Sequence, residues 1–136
     1  MIRKWFGILL IVLVGATFLA VTSCGREQQL QSINVTPNSV TFLSPGTTIT
    51  FQLKAYGTYI HPPETKDITS QVMWSAQSSD LVLVTPAGVL STSGLGYCGV
   101  TNVTASLSNP GGPSNNVIVG NATATVVNTA IPICPQ

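Results

Sequence analysis

Three cysteines, one histidine and four carboxylates are the groups in these 136 residues that could do chemistry. The cysteines are Cys24, Cys98 and Cys134, the histidine is His61, and the carboxylates are Glu27, Glu64, Asp67 and Asp80. A Ser/His/Asp arrangement would need its parts gathered around His61. Paired carboxylates are poorly placed, because Asp67 and Asp80 flank the stretch around Trp74 while Glu64 lies in a different segment. No CxxC pair or second histidine supports a metal site. No HExxH, calcium loop or phosphate-binding glycine loop occurs. The expectation is a protein without catalysis, cofactor or metal. Thiol chemistry at Cys24, Cys98 and Cys134 is what remains.

The context of Cys24 points to export. Met1-Ile2-Arg3-Lys4 is a short basic start, and no charge follows from Trp5 to Gly25. The run Ile8-Leu9-Leu10-Ile11-Val12-Leu13-Val14 lies inside that stretch, the anatomy of a signal segment expected to be helical. The run is also long enough for an uncleaved signal anchor. Val21-Thr22-Ser23-Cys24 resembles the bacterial lipobox, an aliphatic residue and two small ones before the cysteine that receives diacylglycerol. This resemblance implies cleavage ahead of Cys24 and attachment to the membrane by lipid. Gly25, in place of the aspartate that marks inner-membrane retention in enteric bacteria, implies the outer membrane. The boundaries expected are a signal peptide at 1–23, a polar tether at 24–31, one domain at 32–127 and a tail at 128–136. Fully extended, 25–31 reaches about 25 Å, which keeps the domain near the bilayer.

Composition supports this setting. Charged residues make up 7% of the chain, against about 25% in an average protein. Beyond the leader, Arg26, Lys54 and Lys66 stand against Glu27, Glu64, Asp67 and Asp80, a net charge of −1. Three scattered basic residues give no footprint for nucleic acid. Cys98 and Cys134 form an even pair in an exported chain, for which a disulfide is the natural proposal and free thiols or an intermolecular link the alternatives.

The elements that must position these groups read as strands. Ser32-Ile33-Asn34-Val35-Thr36 and Ser39-Val40-Thr41-Phe42-Leu43 look like a split edge strand broken by Pro37. From Thr47 to Tyr56, Ile49, Phe51, Leu53 and Ala55 alternate with Thr48, Thr50, Gln52 and Lys54, which predicts one buried and one wet face. Val72 and Trp74 continue the period of two. Leu81, Val84 and Leu90 bracket a turn at Pro86-Ala87-Gly88, and Val103, Ala105, Ala122, Ala124 and Val126 close the pattern. Residues 57–66 and 108–116 are expected to be enlarged loops. Asn34, Asn102 and Asn121 head N-x-T triplets, which in such strands reflect Thr and Asn composition.

Short strands at this spacing predict an all-β sandwich. Several segments, in order, resemble the bacterial Ig-like domains of group 2. They are Ile33-Asn34-Val35-Thr36-Pro37, Gly46 before the long strand, Asp67-Ile68-Thr69-Ser70-Gln71-Val72-Met73-Trp74-Ser75, Ser78-Ser79-Asp80, Val84-Thr85-Pro86-Ala87-Gly88-Val89-Leu90 and Val103-Thr104-Ala105-Ser106. The resemblance covers about 32–127 and implies an Ig-like sandwich of about seven strands with Trp74 in its core. It implies a spacer or adhesive module with no shared catalytic residues. In that topology the sixth strand starts and the seventh ends at one end, within reach of a Cys98–Cys134 link. The loops 57–66 and 108–116 fall at the other end, with the start of the first strand. Tyr59 and His61, on a loop stiffened by Pro62 and Pro63, are candidates there for a membrane-proximal recognition patch toward an envelope protein or glycan. The alternatives are a glycan-binding or enzyme-accessory module, and an accessory subunit of a larger membrane assembly.

Overall fold

The computed structural model describes residues 28–44, 49–108, 116–128 and 130. Ten strands, and no helix, form among them: β1 Gln29–Thr36, β2 Ser39–Ser44, β3 Thr50–Gln52, β4 Lys54–Ile60, β5 Glu64–Asp67, β6 Met73–Ala76, β7 Val82–Val84, β8 Val89–Thr92, β9 Gly99–Ser108 and β10 Val117–Asn128. The protein is all-β. One sheet has the order β1-β4-β5, a second β2-β10-β9-β6 and a third β3-β8-β7. Every pairing is antiparallel except β2 with β10.

The split first strand lies where its pattern predicts, at two sheet edges. Pro37 lacks an N–H and ends the β1 ladder, and Asn38 carries the chain into the second sheet, where its carbonyl accepts the Thr123 N–H at 2.9 Å. β1 starts at Gln29, three residues before the expected Ser32, with a bulge between Leu30 and Ser32. Leu30 is buried, so part of the stretch read as tether already belongs to the domain. Four residues, 25–28, then separate Cys24 from the first strand, a reach of about 14 Å.

The alternating run 47–56 divides at Leu53, one reason the strands number ten rather than about seven. Its first part pairs with β8 and its second with β1 and β5. Leu53 is fully buried at the break, and its N–H donates to the Gly88 carbonyl at 2.8 Å. Leu53 and Ala55 face the core as predicted; Ile49, one residue before β3, is exposed.

The expected enlarged loop at 57–66 is instead a hairpin. β4 runs on to Ile60 and β5 returns from Glu64, with Tyr59 paired to Glu64 and Tyr56 to Asp67. Gly57, the first residue of that expected loop, is a strand residue at a close approach. A Cβ there would lie 2.8 Å from both the Ile68 and Leu30 Cδ1 atoms.

All three sheets contribute to one core that includes Val35, Phe42, Leu53, Ile68, Trp74, Val82, Leu90 and Val103. Ala105, Ala122 and Ala124 are small where β9 and β10 face it. Phe42 and Phe51 meet edge to face, centroids 5.0 Å apart, a favoured aromatic geometry. Among the described residues every buried side-chain polar atom has a partner. Thr101 accepts the Ser78 N–H at 3.0 Å, and Asn128 donates to the Gly96 carbonyl at 2.7 Å.

Candidate functional site

The segment between β5 and β6 is tied together by Thr69. Its N–H donates to Asp67 Oδ1 at 3.0 Å and its hydroxyl to the same oxygen at 2.6 Å, an Asx-type turn. The hydroxyl oxygen accepts the Ala55 N–H at 3.0 Å, and the Thr69 carbonyl accepts the Trp74 indole Nε1–H at 3.0 Å. The chemistry of Asp67-Ile68-Thr69 is therefore structural. It hangs the Trp74 ring from the turn that closes the first sheet.

The Thr69 hydroxyl, then the Thr69 N–H, hold the Asp67 carboxyl below its ordinary value of 3.8. Because the folded state favours the ionised form, the contribution is fully present above about pH 3.8 and is lost as the pH falls below it. The thermal midpoint of the wild type should drop more steeply between pH 4 and 2.5 than that of Asp67→Asn. Thermal scans across that range check it, and parallel profiles for the two proteins would remove Asp67 from the account.

At the far tip of the first sheet, the β4–β5 hairpin holds the start of β1. Lys66 Nζ donates to Gln28 Oε1 at 2.8 Å and lies 3.1 Å from Glu64 Oε2 and 5.5 Å from the Tyr59 ring centroid. Gln28 Nε2 donates to Glu64 Oε2 at 3.2 Å. These bonds, that of Gln28 first and that of Lys66 second, hold the Glu64 carboxyl below its ordinary 4.5. The pair is exposed, so its effect is on geometry more than on stability. It fixes where the chain leaves the domain toward its N-terminus.

The two candidate recognition residues differ in surroundings. Tyr59 is half-buried, packed on the core with Lys66 over its ring. His61 is exposed at the hairpin turn, with a φ of 61° and a cis bond to Pro62. The exposed tip is thus His61-Pro62-Pro63, while the Tyr59 ring is largely committed to packing. Gln29 pairs with Ile60, and Gly120 of β10 approaches the Ile33 backbone of β1. The hairpin tip, the start of β1 and the Ser108/Val117 ends of β9 and β10 therefore share one end of the domain. Residues 109–115 lie outside the described residues.

At the opposite end, Cys98 directly precedes β9 and is half-buried. Val126 pairs with Gly99, so β10 finishes beside it. Cys98 is not a free thiol. Cys134 and Cys24 both lie outside the described residues.

The chain matches no protein-family model and no curated protein.

Two features escaped the sequence reading. The Gln28–Lys66–Glu64 clasp needed the hairpin to be known, since residues 28 and 66 are far apart in the chain. The distribution of charge was visible only in part. The four strands of the β2-β10-β9-β6 sheet contain no Asp, Glu, Lys, Arg or His. The described charged residues, Lys54, Glu64, Lys66, Asp67 and Asp80, all lie outside it.

Proposed function

We propose that this chain is an exported bacterial lipoprotein, anchored through acylated Cys24, that displays one group 2 Ig-like β-sandwich as a binding or structural module of the cell envelope. The observation that carries the reading is the short path from Cys24 to β1 behind a basic start, an apolar run and the lipobox-like Val21-Thr22-Ser23-Cys24. Two or three acyl chains, at about 0.8 kcal/mol per buried methylene, hold such a protein stably on a membrane. The clasp at Gln28 would then keep the hairpin end of the domain toward the bilayer.

Several features support the sandwich. The β1-β4-β5 and β2-β10-β9-β6 sheets contribute to one core, the chain crosses between them at Pro37-Asn38, and Trp74 pairs in register with Ala105. The module acts by surface complementarity and carries no reaction of its own. A Cys98–Cys134 disulfide closes the tail onto the end away from the membrane, supported by the bonded state of Cys98 and its place beside the end of β10. The outer membrane is the favoured location, from Gly25.

The test is the intact mass of the protein extracted from membranes, before and after reduction and alkylation. The expected species begins at Cys24, carries acyl chains and gains two alkylated thiols only after reduction. Cys24→Ser should shift the protein from the membrane to the soluble fraction or leave it as unprocessed precursor. A Met1 start with no added mass, and Cys24→Ser unchanged in both respects, would refute the anchor. Two thiols alkylated without reduction would refute the disulfide.

A further inference from the structure

The outward face of the four-stranded sheet is a surface that neither the core nor the proposed anchor uses. The registers arrange it in rows across the strands: Met73–Ser106–Val119, Ser75–Thr104–Asn121, Asn102–Thr123–Ser39, Val100–Thr125–Thr41, then Val127–Leu43. Alternate residues of the same strands, among them Trp74, Val103, Ala105, Ala122, Ala124 and Val126, fill the core. Met73 is 73% exposed, Leu43 61%, Val100 50% and Val119 48%. Apolar side chains thus mark both ends of a face whose middle rows are Ser, Thr and Asn.

Exposed β-surface and sheet edges are ordinarily guarded by charge, lysine above all. This domain guards one of its edges in that way: β5 carries Glu64, Lys66 and Asp67. The four-stranded sheet has no such residue on its face or on its edge strands β2 and β6. Depletion of charge is also what distinguishes the centre of protein interfaces from the rest of the surface.

We infer that this face is an isologous interface with a second copy of the same chain. Three observations select that occupant. A two-fold contact brings each patch against itself, so any net charge near the axis would meet its like; here there is none to repel. Hydroxyl and carboxamide groups are each donor and acceptor, so rows of Ser, Thr and Asn complement their own copy, as rows of carboxylates or ammonium groups cannot. The strands overlap at most three deep in any row, so the footprint is about 14 Å by about 40 Å at ordinary spacings, roughly 550 Å² per partner, the size of a weak, reversible dimer rather than of a permanent one. A partner recruited by charge would find nothing on this face to complement. The inference does not depend on the lipid anchor.

The test is sedimentation equilibrium of the full chain in a density-matched mild detergent, under reducing and non-reducing conditions, over a wide range of concentration. Asn121→Lys and Ser75→Lys each place a charge in a middle row at an exposed position. Thr50→Lys does so at an exposed position of β3, in another sheet. Circular dichroism checks that each variant is folded, and the two face variants stand in for one another should one fail. The wild type and Thr50→Lys should dimerise reversibly, with the same constant with and without reductant, and Asn121→Lys and Ser75→Lys should weaken association by about tenfold or more. A wild type that stays monomeric throughout, a dimer lost on reduction, or a dimer indifferent to both face substitutions would each overturn the inference. The last of these would point to edge pairing, which a charge in the middle of the face leaves alone.

Discussion

Trp74→Ala is expected to leave the domain marginally folded or unfolded. Trp74 is 9% exposed, pairs with Ala105 across β6 and β9, and is held by the 3.0 Å bond from its indole to the Thr69 carbonyl. Truncating a buried tryptophan costs about 3–5 kcal/mol, against a total stability of about 5–15 kcal/mol for a domain. Trp74→Phe separates the two contributions. It keeps most of the packing and loses the hydrogen bond, worth about 0.5–1.5 kcal/mol net. Urea unfolding of the three proteins checks the order, wild type above Phe above Ala. An Ala variant with the wild-type midpoint would remove Trp74 from the core.

Gly88→Ala should have the next largest effect, for two reasons that add. Gly88 has a φ of +78°, a conformation that costs an L-residue about 1–2 kcal/mol. An added Cβ would also lie 2.7 Å from the Leu53 carbonyl oxygen and 3.2 Å from Trp74 Cζ2. Backbone cannot swing aside as a side chain can, so overpacking of about 1–3 kcal/mol follows. The position closes the β7–β8 turn onto the break between β3 and β4. The Gly88 carbonyl accepts the Leu53 N–H, while Gln52 Nε2 donates to the Leu53 and Ala87 carbonyls at 2.8 Å each. Losses of about 2–5 kcal/mol are expected by urea unfolding. Because the added Cβ would meet Trp74 Cζ2, the penalty should be smaller in a Trp74→Phe background. A Gly88→Ala variant as stable as the wild type would show that the turn relaxes freely.

These two sites also show how the segments quoted for the family resemblance act in the structure. Asp67-Ile68-Thr69 is one hydrogen-bonded turn, Trp74 hangs from it, and Gly88 comes close enough that an added Cβ would meet Trp74 Cζ2. Three places along the chain thereby become one assembly. Asp67, which in the sequence only flanks the Trp74 stretch, has an oxygen that sets the conformation of Thr69. The candidate recognition loop fared differently. The stretch 57–66 reads as an enlarged loop stiffened by Pro62 and Pro63, but cross-strand pairing with β1 and β5 carries β4 through Gly57, and Tyr59 is drawn toward the core.

What the sequence determined by itself is the all-β class, much of the buried alternation and the turn at Pro86-Ala87-Gly88. Alternation at Ile33 and Val35, Leu53 and Ala55, Val72 and Trp74, and along Val103, Ala105, Ala122, Ala124 and Val126 matches the buried faces found. That information is local, because the pleat sends successive side chains to opposite sides whatever strand lies next to them. Which strands pair is not local. The tertiary structure decided that the run 47–56 divides between two sheets, that 57–66 is a hairpin, that β2 runs parallel to β10, and that Gln28 meets Lys66. It also decided that every described charge lies off one sheet. Backbone hydrogen bonds are alike at every residue, so the choice among partners falls to the fit of distant side chains around a shared core.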